Sequence, residues 1–182
     1  MYHTGYYTGA FDLFHAGHLA GLKKAKALCD KLVVGVSTDE AILNYKHHLP
    51  TIPFEERIEI VKSLKCVDKA IPQTSLDNKL EVCQAIGADV LFSCEEYLPE
   101  YYEKGHIFTE KEQAGIERWQ RFSEECNAHG IDVVYLEREQ GISTTEIKEH
   151  IVESNPESQK SIFPEEMEYT EGENQQEGDI CQ

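Results

Sequence analysis

The sequence predicts a single α/β domain, a Rossmann-like doubly wound parallel sheet, followed by an acidic C-terminal tail. Three observations carry that expectation. Short apolar runs alternate with helical patterns in β-α-β-α order over residues 1–152. The runs are largely apolar throughout, as strands covered by helices on both faces must be. The helical patterns are bounded by turn glycines, prolines and capping residues. A length of 182 residues suits one domain with a real core plus a tail.

The elements follow in order. Residues 2–7 read as a first strand, with Gly9 just beyond it. A helix begins near Gly17 and carries Leu19, Leu22, Ala25 and Leu28 at three-residue spacing. Residues 31–36 are Val-rich and too short for a helix, hence a second strand. Pro53 opens the next helix in its first turn, where a missing N–H costs nothing, and Glu55 and Glu56 suit its positive end. Residues 67–71 form a strand ended by Pro72, residues 78–86 a helix stopped by Gly87, and residues 88–93 another buried strand. Residues 111–129 are helical with Gly130 as C-cap, and residues 131–136 are the last strand. Ser143 then caps a helix, with Glu146 at capping-box spacing. The domain is expected to span 1–152. Residues 153–182 are rich in Ser, Asn, Gln, Gly and Glu and read as a disordered tail.

Charge and cysteines narrow the class. The chain has 17 Lys+Arg against 34 Asp+Glu, a formal net charge of −17. That balance argues against nucleic acid or an anionic membrane surface as partner. Nine acids and one lysine fall in residues 153–182, so the excess is concentrated toward the end. No run of 18 apolar residues offers a membrane span, and the N-terminus lacks a secretory pattern, so the expected location is cytoplasmic. The six cysteines are widely spaced without a C-x-x-C pair, giving neither a disulfide framework nor a zinc site; no protein-held metal is expected.

Chemistry concentrates at two junctions. After the first strand comes Gly9-Ala10-Phe11-Asp12-Leu13-Phe14-His15-Ala16-Gly17-His18, two histidines bracketing a glycine where a helix starts. Ligands of open α/β sheets bind beyond the carboxyl ends of the strands, and the first turn of a helix attracts anions. Two imidazoles there can donate to phosphate oxygens and stabilise charge developing on them, which is what nucleotidyl transfer needs. The second junction, Arg138-Glu139-Gln140-Gly141-Ile142-Ser143-Thr144-Thr145, places an arginine after the last strand and hydroxyls at a helix start, a further anion site. Walker-type and dinucleotide-type glycine patterns are absent.

Together these motifs resemble the cytidylyltransferases of the nucleotidyltransferase superfamily, most nearly glycerol-3-phosphate cytidylyltransferase, over about residues 4–152. The resemblance implies that His15 and His18 stabilise the transition state at the α-phosphate, with Lys46 on a mobile loop and Arg138 neutralising the triphosphate. It implies nucleotide contacts from Gly9, Ala10, Phe11, Gly17, Gly141, Ile142, Ser143 and Thr144. Arg57 and Asp12 would serve the phosphorylated substrate, Asp12 by orienting the first motif, with a plain capping role as its alternative. The expected reaction is attack of a phosphorylated alcohol on CTP accompanied by Mg²⁺, with pyrophosphate released by a homodimer. An adenylyltransferase, a phosphoethanolamine or phosphocholine enzyme, or a nucleotide-binding regulatory protein are the alternatives. The sequence departs from the family pattern at Ala10 (usually Thr), His48 (often Lys), Glu139 (usually Thr) and Cys94-Glu95-Glu96-Tyr97 (usually G-D-D-W). Residues 98–115 read as an insertion whose Tyr101 and Tyr102 could form a lid or a partner surface, or simply pack on the domain.

Overall fold

In the computed structural model, residues 1–103, 106–139 and 141–154 are described. The element order is β1 (Tyr2–Gly9), α1 (Ala16–Leu28), β2 (Cys29–Ser37), α2 (Asp39–Lys46), α3 (Phe54–Lys62), β3 (Lys69–Gln73), α4 (Lys79–Ile86), β4 (Val90–Cys94), α5 (Glu110–Ala128), β5 (Asp132–Leu136) and α6 (Thr144–Ser154). Two short 3₁₀ turns, Glu95–Tyr97 and Pro99–Tyr101, lie between β4 and α5. One compact unit, Met1–Ile147, holds the whole sheet. Residues 155–182 of the expected tail lie outside the described residues.

All five strands are parallel, in the order β3-β2-β1-β4-β5. The chain winds outward through β2 and β3, then crosses back to lay β4 beside β1. That reversal leaves a crevice between the carboxyl ends of β1 and β4, the place where such sheets bind ligands. Side chains alternate between two cores with the period of a strand. Leu32, Val34 and Val36 of β2, with Val90 and Phe92 of β4, enter one core; α1 and α3 cover it with Leu22, Ala25, Ile58 and Val61. Val33 and Leu91 enter the other beside Tyr6, and α4 and α5 cover that face with Cys83, Trp119, Phe122 and Cys126. Doubly covered strands explain the nearly unbroken apolar runs.

Three details depart from expectation. Pro72 lies within β3, opposite Val36, and does not end the strand. β3 is an edge strand, where a missing N–H need break no ladder. α2 was not anticipated. Thr38 caps it by accepting from the Ala41 N–H at 3.2 Å, Asp39 and Glu40 fill its first turn, and Lys46 its last. Pro53 stands at the N-cap of α3, one residue ahead of the helix.

Candidate active site

The Ala10–His15 loop adopts a backbone that its own residues disfavour. Phe11 and Leu13 have φ of 54° and 46°, a left-handed conformation costing bulky side chains about 1–3 kcal/mol each. The surroundings hold it there. The Phe11 ring is 2% exposed and packs into the first core, with rings of Tyr7 and Phe14 at 6.2 and 6.4 Å. Asp12 accepts the Thr51 and Ile52 N–H groups, each at 3.0 Å, while its carbonyl accepts the Thr144 hydroxyl at 3.0 Å. The Arg57 guanidinium donates to the carbonyls of Ala10, Ile52 (2.8 Å) and Ser37 (2.8 Å), and pairs with Asp39 at 2.6 Å. One buried cation thereby ties β1, β2 and α3 to the loop.

That placement corrects the expectation for Arg57. Its side chain is fully buried and does not line the pocket, so it braces the site from behind. Gly9, Ala10, Phe11, Asp12 and Gly141 are not in the pocket wall either. Phe11 is a core ring, Ala10 presents its carbonyl to Arg57, and Gly141 supplies a φ of 80° to the turn ahead of α6. Gln140 lies outside the described residues.

The loop delivers His15 to the N-cap of α1 and His18 one turn into it. The two rings stack with centroids 3.8 Å apart and planes 26° from parallel. His18 also meets the edge of Phe11 at 5.4 Å. Gly17 makes the stacking possible, because a Cβ there would lie 3.0 Å from both Cε1 and Nδ1 of His15. Both Nδ1 atoms are buried without a hydrogen-bond partner. Burial, reinforced by neighbouring positive charge, holds both imidazoles neutral. Burial and then Arg138 lower the pKa of His15, and burial and then His15 push that of His18 down to about 3.

These histidines open on a cavity of about 680 Å³ at the carboxyl end of the sheet. Of the expected residues, Gly17, Lys46, Arg138, Ile142, Ser143 and Thr144 share its wall with them. Lys46 reaches it from the end of α2, and His47 in left-handed geometry (φ 58°) terminates that helix. Ser143 accepts the Glu146 N–H at 3.1 Å, the cap anticipated for α6. Sequence reasoning singled out Glu139, Tyr101 and Tyr102 but missed the ion pairs of the acidic wall and the part Tyr45 and Tyr97 play in the aromatic one. Arg138 donates its backbone N–H to Glu95 at 3.0 Å, and its guanidinium pairs with Glu96. Glu139 pairs with Lys24 of α1 at 3.1 Å, and Lys24 also donates to the Glu137 carbonyl at 2.9 Å. Tyr45, Tyr97, Tyr101 and Tyr102 line the far side, Tyr97 stacked on Trp119 at 5.4 Å. The Tyr102 hydroxyl donates to the Glu96 carbonyl at 3.1 Å, so part of the 98–115 segment forms pocket wall. Among the described residues no cluster of His, Cys, Asp or Glu is arranged to hold a metal ion, and no helix is long and apolar enough to cross a membrane.

Comparison with known proteins bears on the family and the fold. The family model described as cytidylyltransferase-like matches residues 6–150. FAD synthase of Thermococcus onnurineus is 32% identical over 158 residues, covering 80% of this chain and 89% of that protein. The bifunctional protein HldE of Photorhabdus laumondii is 36% identical over 140 residues, 76% of this chain but only 26% of HldE. Among solved structures, the lipopolysaccharide core biosynthesis protein of Thermoplasma volcanium superposes with a TM-score of 0.55 at 24% identity, covering 78% of this chain and all of that one. Thermotoga maritima TmcAL, bound with alpha-thio ATP, superposes with a TM-score of 0.55 at 17% identity, over 87% of this chain and 52% of that one. At these identities the two superpositions speak for the fold.

Proposed function

Because this chain belongs to the cytidylyltransferase-like family and is a nucleotidyltransferase, we propose that it transfers a nucleoside monophosphate onto the phosphate of a small phosphomonoester. The observation that carries the reading is the stacked, neutral His15–His18 pair at the start of α1, sharing a pocket with Lys46 and Arg138. A phosphate oxygen of the acceptor attacks the α-phosphorus, a new P–O–P bridge forms, and the α–β bond breaks to release pyrophosphate. The acceptor brings an ionised nucleophile, so no side chain need remove a proton. The protein supplies position and electrostatics.

With both Nδ1 atoms buried, the Nε2 edges of His15 and His18 are the ones to meet the α-phosphate. Neutral imidazoles serve as hydrogen-bond donors to its oxygens, where negative charge grows in the transition state. Lys46 and Arg138 neutralise the β- and γ-phosphates, and Ser143 with the first N–H groups of α6 adds a second anion-binding helix start. The nucleotide is taken with its own Mg²⁺ as substrate.

ATP is the donor this reading favours. FAD is an adenylyl group bridged to a flavin phosphate, and the FAD synthases match over 89% of their length. CTP is the second reading. It is supported by the first and last motifs, and it is weakened by Cys94–Tyr97 where the cytidylyltransferase pattern has a glycine. The test is pyrophosphate release by the full chain with MgATP or MgCTP against FMN, glycerol 3-phosphate and phosphorylated amino alcohols. One nucleotide–acceptor pair is expected to turn over, and His15→Ala or His18→Ala to reduce kcat by at least about 100-fold. Equal rates in wild type and both variants would refute the assignment.

A further inference from the structure

The Glu96 carboxylate has a position that the transfer reaction does not require. It lies in the pocket wall and pairs with the guanidinium of Arg138, the cation assigned to the triphosphate. Other contacts already fix the loop that carries Arg138. Glu95 accepts its backbone N–H at 3.0 Å, and Lys24 holds the preceding carbonyl at 2.9 Å. The other carboxylates of the wall are engaged elsewhere: Glu137 and Glu139 face Lys24 at 3.7 and 3.1 Å, and Glu112 accepts the Thr109 N–H at 2.8 Å in the cap of α5. Glu96 alone among them sits on a phosphate-binding cation. A guanidinium favours phosphate and carboxylate through the same forked geometry, so the two compete for one face.

We propose that Glu96 is a resident stand-in for phosphate at Arg138, surrendering the guanidinium to the incoming triphosphate and reclaiming it as pyrophosphate leaves. The inference rests on the nucleotidyl-transfer reading above. The exchange weakens nucleotide binding and, by the same amount, weakens retention of product. The side chains of Arg138 and Glu96 are 39% and 30% exposed, so the pair is screened by water and the competition is modest.

The experiment is calorimetric binding of inorganic pyrophosphate, with Mg²⁺, to the full chain. Glu96→Gln keeps the shape and removes the charge, and is expected to tighten binding about fivefold. Pyrophosphate should likewise become a stronger product inhibitor of turnover. Arg138→Ala should abolish the gain, so that adding Glu96→Gln to it changes nothing. Glu96→Ala repeats the comparison should the glutamine variant melt early. A residue that merely positions Arg138 gives the opposite sign, weaker binding in both variants. Unchanged or weaker binding, with wild type binding pyrophosphate normally, overturns the exchange alone. A wild-type chain that binds neither pyrophosphate nor any nucleoside triphosphate overturns the transfer reading and the exchange with it.

Discussion

His18 makes the stability of this protein depend on pH in a direction that can be worked out. Its ordinary pKa of 6.5 falls to about 3 in the folded chain, from burial first and the adjacent His15 second. The unfolded chain therefore takes up this proton at a pH where the folded chain does not. Stability contributed by the neutral ring is complete above about pH 6.5 and declines as pH falls toward about 3, by about 1.4 kcal/mol per pH unit. Between pH 7.5 and pH 5 the loss from this one group is about 2 kcal/mol. The measurement is urea unfolding followed by circular dichroism at both pH values, for wild type and His18→Gln. The variant loses packing against Phe11, Phe14 and His15 at either pH, and that cost cancels in the difference. Carboxylates and histidines away from this ring pair titrate in both proteins and cancel likewise. Wild type should lose about 2 kcal/mol more than the variant on acidification. A difference below about 0.5 kcal/mol would mean that His18 is protonated freely in the folded chain, and the neutral-donor role would fall with it.

Arg57→Met should cost about 3–5 kcal/mol in urea unfolding, since it strands Asp39 and three backbone carbonyls behind the site. A stable Arg57→Met enzyme with a raised acceptor KM would return Arg57 to substrate binding. Gly17→Ala should separate stability from activity. The new methyl displaces the His15 ring by a few tenths of an ångström, so kcat should drop about tenfold or more, while the helix gains up to about 1 kcal/mol in propensity. Thermal melts and pyrophosphate release on the same preparation would show both, and an unchanged kcat would refute the ring-packing argument.

Local signals carried most of the fold into the sequence. Apolar runs in 31–36 and 88–93 had to be strands because they are too short for helices, and Gly87 and Gly130 do take the left-handed geometry expected at helix ends. α2 escaped because an eight-residue helix with only Ala41 and Ile42 buried leaves little periodicity, although Thr38-Asp39-Glu40 is a serviceable start signal. The histidines and Arg138 were legible because motif spacing fixes their places on a strand–helix junction. Arg57 was misread for a physical reason: sequence records a charge, while its burial depends on carbonyls from residues 10, 37 and 52 converging in space. The pairings of Glu96 and Lys24 were invisible for the same reason, since their partners lie 42 and over 100 residues away.

Net charge is a poor guide to this pocket, and the structure explains why. A chain at −17 lines its proposed phosphate site with four glutamates among the described residues, an arrangement that looks hostile to a polyanion when charges are counted. Counting treats each carboxylate as an independent source of field, yet each of these has a cation or an N–H donor beside it. Lys24 lies outside the cavity wall and faces Glu137 and Glu139, while the start of α5 engages Glu112 through the Thr109 N–H. A compensated carboxylate projects a dipole whose field decays faster than that of a charge, and salt screens what is left. On the proposed reading, the potential felt by a phosphate is then set by the groups within its reach: the helix starts of α1 and α6, Lys46, and Arg138 to the extent that Glu96 releases it. Lys24 offsets one of the two carboxylates it faces, Glu112 keeps its charge turned to a helix start, and Glu96 is the carboxylate that competes for the cation proposed to take the phosphates.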